Sequence, residues 1–228
     1  MKYDYYLFDL DGCLLYIPRS WEYFDNILVK TLELAKTTKI PVRSERNNFW
    51  FSGKNYINYL RNWGTIDYQN FWKIFDELDY EHRKILIKTN KIFLFNDVKQ
   101  FLKEIYSNGK KTAIISNSAD YIVKYILNKF NIAKFFHKLF GLSYDKDQAI
   151  AKPSPLGIIF ILSDFKFDPR TAKALMIGDS IMDVYAAKRA EIHSCLIRRD
   201  KNKYPEGYSD WEHQPDYVID NLTELLVF

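Results

Sequence analysis

Six short apolar runs divide the chain, and each is bounded by turn-forming residues or by a segment with helical periodicity. They cover residues 5–9, 112–116, 139–143, 174–179, 194–198 and 217–219. Continuous apolar runs of this length are typical of strands that are buried on both faces. The pattern therefore predicts six strands of a largely buried sheet.

Amphipathic segments separate most of these runs. Residues 97–105 predict a helix with Asn96 as its N-cap and Gly109 as its stop. The residues after Ser116 place a second set of apolar side chains on one helical face: Ile122, Val123, Ile126, Leu127 and Phe130. Alternation of strands and helices predicts an α/β fold, a doubly wound parallel sheet with a Rossmann-like core.

The connection between the first two runs is different in character. From about Trp21 to Asn90 the chain is rich in aromatic residues, lysine and asparagine, and it has helical periodicity without a strand pattern. A crossover between parallel strands does not need this length. We therefore expect a small helical domain, 16–90, inserted into a core formed by 1–15 and 91–228, and lying over the carboxyl edge of the sheet.

Composition and charge do not alter the predicted fold class or domain organisation. The 228 residues are 47% hydrophobic, and the net charge of +4 is dispersed along the chain. The densest basic stretch, 198–203, is interrupted by Asp200 and predicts a solvated loop, so no nucleic-acid partner is expected. We find no signal peptide and no membrane-spanning run, and Cys13 and Cys195 have no metal-binding spacing. We expect a cytoplasmic monomer or homodimer with free, packed thiols.

Polar side chains follow four of the six predicted strands. They are Asp9 and Asp11, then Ser116 and Asn117, then Lys152, and finally Asp179 and Asp183. Each has an ordinary explanation as a turn former, a helix cap or a solvated lysine. Because parallel strands deliver their carboxyl ends to one edge of a sheet, the set together favours a site for Mg²⁺ and phosphate.

Four segments carry a resemblance to a known family. DLDGCL, IISNS, AKPSP and IGDSIMD resemble, in order, the four motifs of the haloacid dehalogenase-like hydrolases. The insertion stands where members of the family with a helical (C1-type) cap carry it, and the chain is most similar in kind to the phosphoglycolate phosphatase-like branch. One departure is Glu191, which replaces a usual glycine and is expected to alter a helix terminus without affecting the chemistry.

The resemblance implies roles for five residues in catalysis and phosphate binding. Asp9 is the expected nucleophile, which forms an aspartyl-phosphate, and Asp11 is the expected general acid and base. Alternate residues of a strand project to the same side, which would let both carboxylates reach the phosphoryl group. Ser116, Asn117 and Lys152 are expected to bind the phosphoryl oxygens.

The resemblance also implies a magnesium site. Its expected ligands are the carboxylates of Asp9 and Asp179 and the backbone carbonyl of Asp11, with Asp183 acting through a water molecule or as a neighbour of the ligands. In the insertion, Ser52, Gly53 and Lys54 are expected to form a loop that faces the active site, and Lys54 is expected to contact an anionic part of a small phosphorylated metabolite such as phosphoglycolate.

Several alternatives remain open. A phosphoaccepting receiver domain also uses an aspartate, a hydroxyl group and a lysine, but it is about half as long and carries its aspartate on a later strand. An inactive binding module with the same fold is disfavoured because no motif residue is missing. Within the family, Asp11 argues against a dehalogenase and a phosphonatase, although the stretch SGKNYINYLRN resembles the phosphonatase cap. A sugar-phosphate mutase would retain Asp11.

Overall fold

The fold is described from a computed structural model, which covers residues 2–146 and 148–227. Its strands are β1 Tyr5–Phe8, β2 Leu15–Tyr16, β3 Phe93–Leu94, β4 Lys111–Ser116, β5 Lys138–Gly141, β6 Ala174–Gly178, β7 His193–Ile197 and β8 Tyr217–Ile219. The short strands β2 and β3 pair with each other, and the other six form one sheet. All neighbours in that sheet run parallel.

Eight α-helices accompany the strands within residues 2–146 and 148–227. They are α1 Ser20–Leu34, α2 Arg43–Phe49, α3 Tyr56–Asn62, α4 Phe71–Lys88, α5 Val98–Ser107, α6 Asp120–Lys129, α7 Leu156–Asp164 and α8 Ile181–Arg189. Across the described part of the chain, no helix combines the length and the apolar character that crossing a bilayer requires.

The predicted fold class is confirmed, and all six predicted strands are present with bounds that differ by two residues at most. The strands are buried because both of their faces are apolar: Leu7, Phe8, Ile114 and Ile177 have no exposed surface. Helix α5 begins at Val98, so Asp97 and not Asn96 flanks it. Gly109 ends this helix as predicted, with φ of 70°.

The direction in which the chain adds strands to the sheet reverses at one position, between β1 and β6. The spatial order is β5-β4-β1-β6-β7-β8, so the chain builds outward from β1 on one side and then returns to β6 on the other. In doubly wound sheets, ligands bind at such a reversal, outside the carboxyl ends of the two central strands. The residues after β1 and β6 therefore occupy the position where this fold binds ligands.

Helix ends in this protein commonly use a left-handed residue. Besides Gly64 and Gly109, non-glycine residues with positive φ follow five helices: Lys36, Asn90, Asn131, Lys166 and Glu191. Glu191 has φ of 57°, and the N–H groups of Glu191 and Ile192 donate to Lys188 and Ala187 as in a glycine-capped helix. The expected alteration of this terminus is therefore wrong, since Glu191 adopts the geometry of the glycine it replaces.

The chain divides into two compact units. The first comprises Met1–Tyr16, Leu94–Gly141 and Ala151–Phe228, and contains the six-stranded sheet. The second comprises Ile17–Phe93 together with Leu142–Ile150. No pattern in the sequence predicts that this last segment joins the inserted residues. That the second unit acts as a cap stays a prediction.

A buried ion pair and an aromatic cluster organise the second unit. Arg83 has no exposed surface, and its Nε donates to both carboxylate oxygens of Asp79 at 2.8 and 3.0 Å. Tyr23 donates to the same carboxylate at 2.6 Å.

The aromatic cluster of the second unit is built around Phe49, whose ring contacts five others: Trp50, Tyr59, Trp63, Phe71 and Trp72. These six aromatic residues of the insertion therefore pack together within the second unit.

Helix α4 also holds the added segment of the second unit. The carboxylate of Asp76 accepts a hydrogen bond from the backbone N–H of Tyr144 at 3.1 Å. Asp76 is 6% exposed, and a buried carboxylate is stabilised by a donor of this kind. This contact explains why residues 142–150 group with the helices of the insertion.

Candidate active site

The turn that follows β1 begins at the point where the strand order reverses. The N–H of Asp9 donates to the carbonyl of Ile177 at 2.8 Å, which extends the pairing of β1 with β6 by one residue. The chain then turns, and the N–H groups of Leu14 and Leu15 both donate to the carbonyl of Leu10. Because β1 ends at Phe8, the alternation of side chains along a strand does not govern Asp9 and Asp11.

Gly12 is required in this turn for two reasons. Its φ is +79°, a conformation that side chains disfavour, and a Cβ atom there would lie 2.2 Å from Oδ2 of Asp179. The turn after β1 and the carboxylate after β6 are therefore packed directly against each other. Gly178 likewise leaves room for a carboxylate, since a Cβ atom there would lie 2.1 Å from Cγ of Asp183.

Lys152 lies between Asp9, which follows β1, and Asp183, which lies in α8 after β6. Its Nζ donates to Oδ1 of Asp9 at 2.6 Å and to Oδ1 of Asp183 at 2.6 Å. A third hydrogen bond goes to the carbonyl of Ile115 at 2.9 Å, so all three ammonium protons are used. The residue is 6% exposed. The interpretation of Lys152 as a solvated surface lysine is therefore wrong.

Asn117 positions Lys152 through its side chain. Its amide oxygen accepts from the Lys152 N–H at 2.9 Å, and its amide nitrogen donates to the Lys152 carbonyl at 3.1 Å. Ser116 is 1% exposed, and its Oγ accepts from the Ser118 N–H at 3.0 Å. The predicted phosphate-binding residues are thus brought into one network, although phosphate binding itself stays a prediction.

Asp11 contacts a residue that sequence reasoning did not assign a role. The hydroxyl of Ser118 donates to Oδ2 of Asp11 at 2.8 Å. Ser118 is part of the IISNS motif, two residues after Ser116, so the motif itself contained the signal.

The start of α8 fixes Asp183. Its Oδ2 accepts from the hydroxyl of Ser180 at 2.6 Å and from the Ser180 N–H at 3.1 Å, an arrangement that caps the helix. Its other oxygen, Oδ1, binds Lys152. Asp183 therefore both caps a helix and holds the buried lysine.

Three carboxylates approach one another closely enough to share a cation. One oxygen from each of Asp9, Asp179 and Asp183 lies within 4.8 Å of the others. Burial raises the pKa of Asp9, the Lys152 ammonium opposes this, and the charges of Asp183 and Asp179 add to it, giving a pKa of about 8. The carboxylates are thus incompletely compensated by the protein's own cations.

The pKa values of Asp179 and Lys152 are also shifted by burial and by the neighbouring charges. Burial also raises the pKa of Asp179, against the opposing charge of Lys203. Burial lowers the pKa of Lys152, but Asp183 and Asp9 together outweigh burial and raise it, so Lys152 is a cation at neutral pH. An all-oxygen donor set with uncompensated negative charge is the kind that hard divalent cations occupy. The three carboxylates can therefore hold a metal ion.

Two residues of the predicted solvated loop form ion pairs with acidic side chains of the core. Arg199 donates through both terminal nitrogens to Asp97 at 2.9 Å, with its side chain 8% exposed. Lys203 binds Oδ2 of Asp179 at 2.6 Å. The expectation of a solvated loop is therefore wrong for Arg199, whereas Lys203 is exposed as expected and uses its ammonium group in an ion pair. The signal that could have found them is their position after β7, at the same edge of the sheet as Asp9.

The predicted substrate-contacting residues lie in the second unit. Gly53 and Lys54 belong to a short 3₁₀ turn, Gly53–Asn55, and Lys54 is exposed. The hydroxyl of Ser52 donates to the carbonyl of Phe49 at 2.6 Å. A contact between these residues and a substrate stays a prediction.

The sequence model of the family described as Haloacid dehalogenase-like hydrolase matches residues 6–197. This span contains the four motifs and every residue of the candidate site except Arg199 and Lys203. The chain belongs to that family. The receiver-domain alternative is therefore excluded.

Two curated relatives of this haloacid dehalogenase-like hydrolase illustrate its similarities. A phosphoglycolate phosphatase of Vibrio parahaemolyticus is 31% identical over 133 residues, which is 58% of this chain and 55% of the relative. The match thus spans about half the length of that relative. Pyrophosphatase PpaX of Listeria monocytogenes is 25% identical over 222 residues, which is 96% of this chain and 93% of the relative.

A solved structure shows the same fold. CbbY of Rhodobacter sphaeroides, crystallised with xylulose-(1,5)bisphosphate, superposes with a TM-score of 0.71 at 17% identity, covering 98% of this chain and 96% of the other. The α/β fold that the motif resemblance predicted is thus shared with a solved structure.

Proposed function

We propose that this protein is a Mg²⁺-dependent phosphomonoester hydrolase that acts on a small phosphorylated metabolite through an aspartyl-phosphate. The observation that carries the proposal is the Asp9 carboxylate, buried where the strand order reverses and bound to Lys152 beside two further carboxylates. A nucleophile, a fixed cation and a metal-binding set are thereby gathered at one point. Family membership supports the same reaction class.

The proposed reaction has two steps. In the first, a carboxylate oxygen of Asp9 attacks phosphorus, the bond from phosphorus to the leaving oxygen breaks, and Asp11 donates a proton to that oxygen. In the second, Asp11 accepts a proton from water as the water oxygen attacks phosphorus, which releases inorganic phosphate and restores Asp9. The hydrogen bond from Ser118 holds one carboxylate oxygen of Asp11 in place, which supports its role as a positioned proton donor and acceptor.

Lys152 and the turn before α6 are proposed to stabilise the transferring phosphoryl group. The Lys152 ammonium is already fixed by three acceptors, so little reorganisation is needed when negative charge develops nearby. Asn117 contributes by positioning Lys152 through two hydrogen bonds. The backbone of Asn117 and the hydroxyl of Ser116 remain the proposed donors to the phosphoryl oxygens.

Asp9 and Asp179 are proposed to hold Mg²⁺, with the backbone carbonyl of Asp11 as a further ligand and Asp183 as a neighbour of the ligands. When bound, the ion supplies positive charge that neutralises the phosphoryl oxygens. The raised pKa values of Asp9 and Asp179 support this assignment, since burial and the neighbouring carboxylates disfavour the charged form of both groups in the protein alone.

Two substrate classes are supported by the comparisons. The relative from Vibrio parahaemolyticus, named a phosphoglycolate phosphatase, favours a short phosphorylated acid. The relative from Listeria monocytogenes, named a pyrophosphatase, matches nearly the full chain and favours inorganic pyrophosphate as the second candidate. A mutase and a phosphonatase remain alternatives within the family, and the products of the reaction distinguish them.

The purified protein is expected to release inorganic phosphate from one of these substrates when Mg²⁺ is present. The assay compares 2-phosphoglycolate, pyrophosphate, a set of sugar phosphates, phosphonoacetaldehyde and an activated aryl phosphate, each with Mg²⁺ and with excess chelator. Unchanged activity in chelator would contradict the metal assignment. Rearranged sugar phosphate without phosphate release would instead identify a mutase, and cleavage of phosphonoacetaldehyde would identify a phosphonatase.

Asp11→Asn is expected to slow alkyl phosphate hydrolysis by about 10²–10⁴-fold, because an alkoxide is a poor leaving group that needs a positioned acid. An activated aryl phosphate needs little proton assistance, so its loss should be much smaller. The measurement is kcat/KM for both substrates. Asp168→Asn is the matched control, since Asp168 precedes β6 at the opposite end of the strand and pairs with Arg170. Equal losses on both substrates would remove Asp11 as the general acid.

We also propose that Lys54 contacts an anionic part of the substrate, on the basis of its charge and exposure within the second unit. Lys54→Ala is expected to raise KM for substrates with a second anionic group and to leave KM for the aryl phosphate unchanged. Lys39→Ala, another exposed lysine of the same unit, is the matched control. If the relative rates across the substrate set do not change, this role is wrong.

A further inference from the structure

The loop after β7 is fixed on both sides of Lys203. On one side, Arg199 donates to the carbonyl of Cys13 at 3.0 Å and pairs with Asp97. On the other side, the hydroxyl of Tyr204 accepts from the N–H of Ile181, the first residue of α8, at 3.1 Å. The Tyr204 ring also packs edge-on against Trp211 at 4.8 Å. Lys203 therefore extends from a segment that is anchored to the turn after β1 and to helix α8.

This anchoring places the Lys203 ammonium against one carboxylate of the metal-binding set. Nζ lies 2.6 Å from Oδ2 of Asp179, whose side chain is 12% exposed, while the Lys203 side chain is 32% exposed. Gly12 packs on the same carboxylate, with space for no side chain of its own. Asp179 is thus held between the backbone of Gly12 and the charge of Lys203.

The charges of the site divide into two groups. Lys152 binds Asp9 and Asp183, and Lys203 binds Asp179. Three carboxylates therefore face two ammonium groups, and each carboxylate already has a cationic partner. Any divalent ion that binds Asp179 must share the Asp179 carboxylate with Lys203. The positive charge of the ion then lies close to the ammonium group, which repels it.

We propose that Lys203 is a positioning residue that competes with the divalent cation for Asp179 and thereby weakens the affinity of the site for that cation. The inference rests on the metal assignment made above. Lys203 keeps Asp179 in place and its charge balanced when the cation has left. The same ammonium reduces the negative charge that the cation meets on return, so the protein exchanges its cation more readily than three uncompensated carboxylates would.

A merely structural ion pair makes a different prediction. A lysine–carboxylate pair with a structural role alone contributes to folding, and its removal leaves ligand affinity unchanged. Competition for Asp179 instead requires cation affinity to rise when the ammonium group is removed. Cation affinity and its effect on thermal stability therefore separate the two roles.

The test is calorimetric titration of chelator-treated protein with Mg²⁺, comparing the wild type with Lys203→Met and Lys203→Arg. Lys203→Met keeps the length of the side chain and removes its charge, and it is expected to bind Mg²⁺ about tenfold more tightly, a modest effect for one unit charge near a divalent ion. Lys203→Arg, which retains the charge, should bind as the wild type does. Mg²⁺ should also raise the Tm of Lys203→Met more than that of the wild type.

Lys201→Met is the matched control. Lys201 lies in the same loop with its side chain 78% exposed and is 3.8 Å from Asp220, so its removal changes the net charge equally without touching Asp179. Equal or weaker Mg²⁺ binding by Lys203→Met, or equal tightening in Lys201→Met, would overturn the inference while leaving the phosphatase proposal intact. A wild type that binds no Mg²⁺ would overturn the metal assignment and the inference together.

Discussion

Asp9→Asn should abolish turnover of every substrate, by more than about 10⁴-fold, while the protein remains folded. An amide has nearly the same shape as a carboxylate and can still accept a hydrogen bond from Lys152, but it is a far weaker nucleophile. The measurement is phosphate release under single-turnover and steady-state conditions. Turnover within tenfold of the wild type would exclude Asp9 as the nucleophile, and Asp168→Asn again provides the carboxylate control.

The stability of Asp9→Asn provides a second result from the same protein. Burial and neighbouring carboxylates raise the pKa of Asp9 to about 8, above the usual value near 4 for an exposed aspartate. A carboxylic acid with a raised pKa in the folded state destabilises the fold at neutral pH, where its charged form is favoured in the unfolded chain. In the absence of metal, Asp9→Asn is therefore expected to match or exceed the wild-type Tm, so its inactivity will not reflect unfolding.

Lys152→Met should be inactive and should lower the free energy of unfolding by about 3–5 kcal/mol at neutral pH, because it leaves two buried carboxylates without their cation. Asp9 and Asp183 are 8% and 1% exposed, and Lys152 binds both at 2.6 Å. The measurement is denaturant unfolding. Lys188→Met is the control, since Lys188 pairs with Asp216 at a site where both side chains are more than one-quarter exposed, and it should cost less than about 1 kcal/mol.

The pH dependence of this destabilisation follows from the same contacts. Unpaired buried carboxylates are disfavoured only in their charged form, so the penalty in Lys152→Met is largest above the unfolded-state pKa of aspartate. It should shrink as the pH falls towards about 4, where the carboxyl groups of the unfolded chain also become protonated. Adding Asp183→Asn to Lys152→Met should recover part of the lost stability, and no recovery would show that the lysine acts elsewhere.

The sequence was most informative where one local rule determined the outcome. Each strand of the large sheet is a continuous apolar run bounded by turn formers, and this pattern needs no knowledge of distant contacts. The same holds for Gly109, where a helix ends in a left-handed residue. Glu191 shows the limit of the rule, because a non-glycine residue adopts the same conformation with the same helix-end hydrogen bonds.

The grouping of the candidate site was also accessible from the sequence. Asp9, Asp179 and Lys152 each follow a predicted strand, and parallel strands bring their carboxyl ends to one edge. The hydrogen-bond partner of each of these side chains could not be predicted from the sequence. That Lys152 binds Asp183 as well as Asp9, and that Ser118 binds Asp11, depends on side-chain directions that strand order alone does not set.

The sequence by itself determined the α/β class, the six strands and the family of this protein, because these depend on local periodicity and on short motifs. Only the tertiary structure decided that residues 142–150 join the inserted helices and that Lys203 reaches Asp179. Both are contacts between segments distant along the chain, and both involve residues whose local pattern is that of an ordinary polar loop. The physical reason is that a polar loop is positioned by its partners, which the loop's own sequence does not contain.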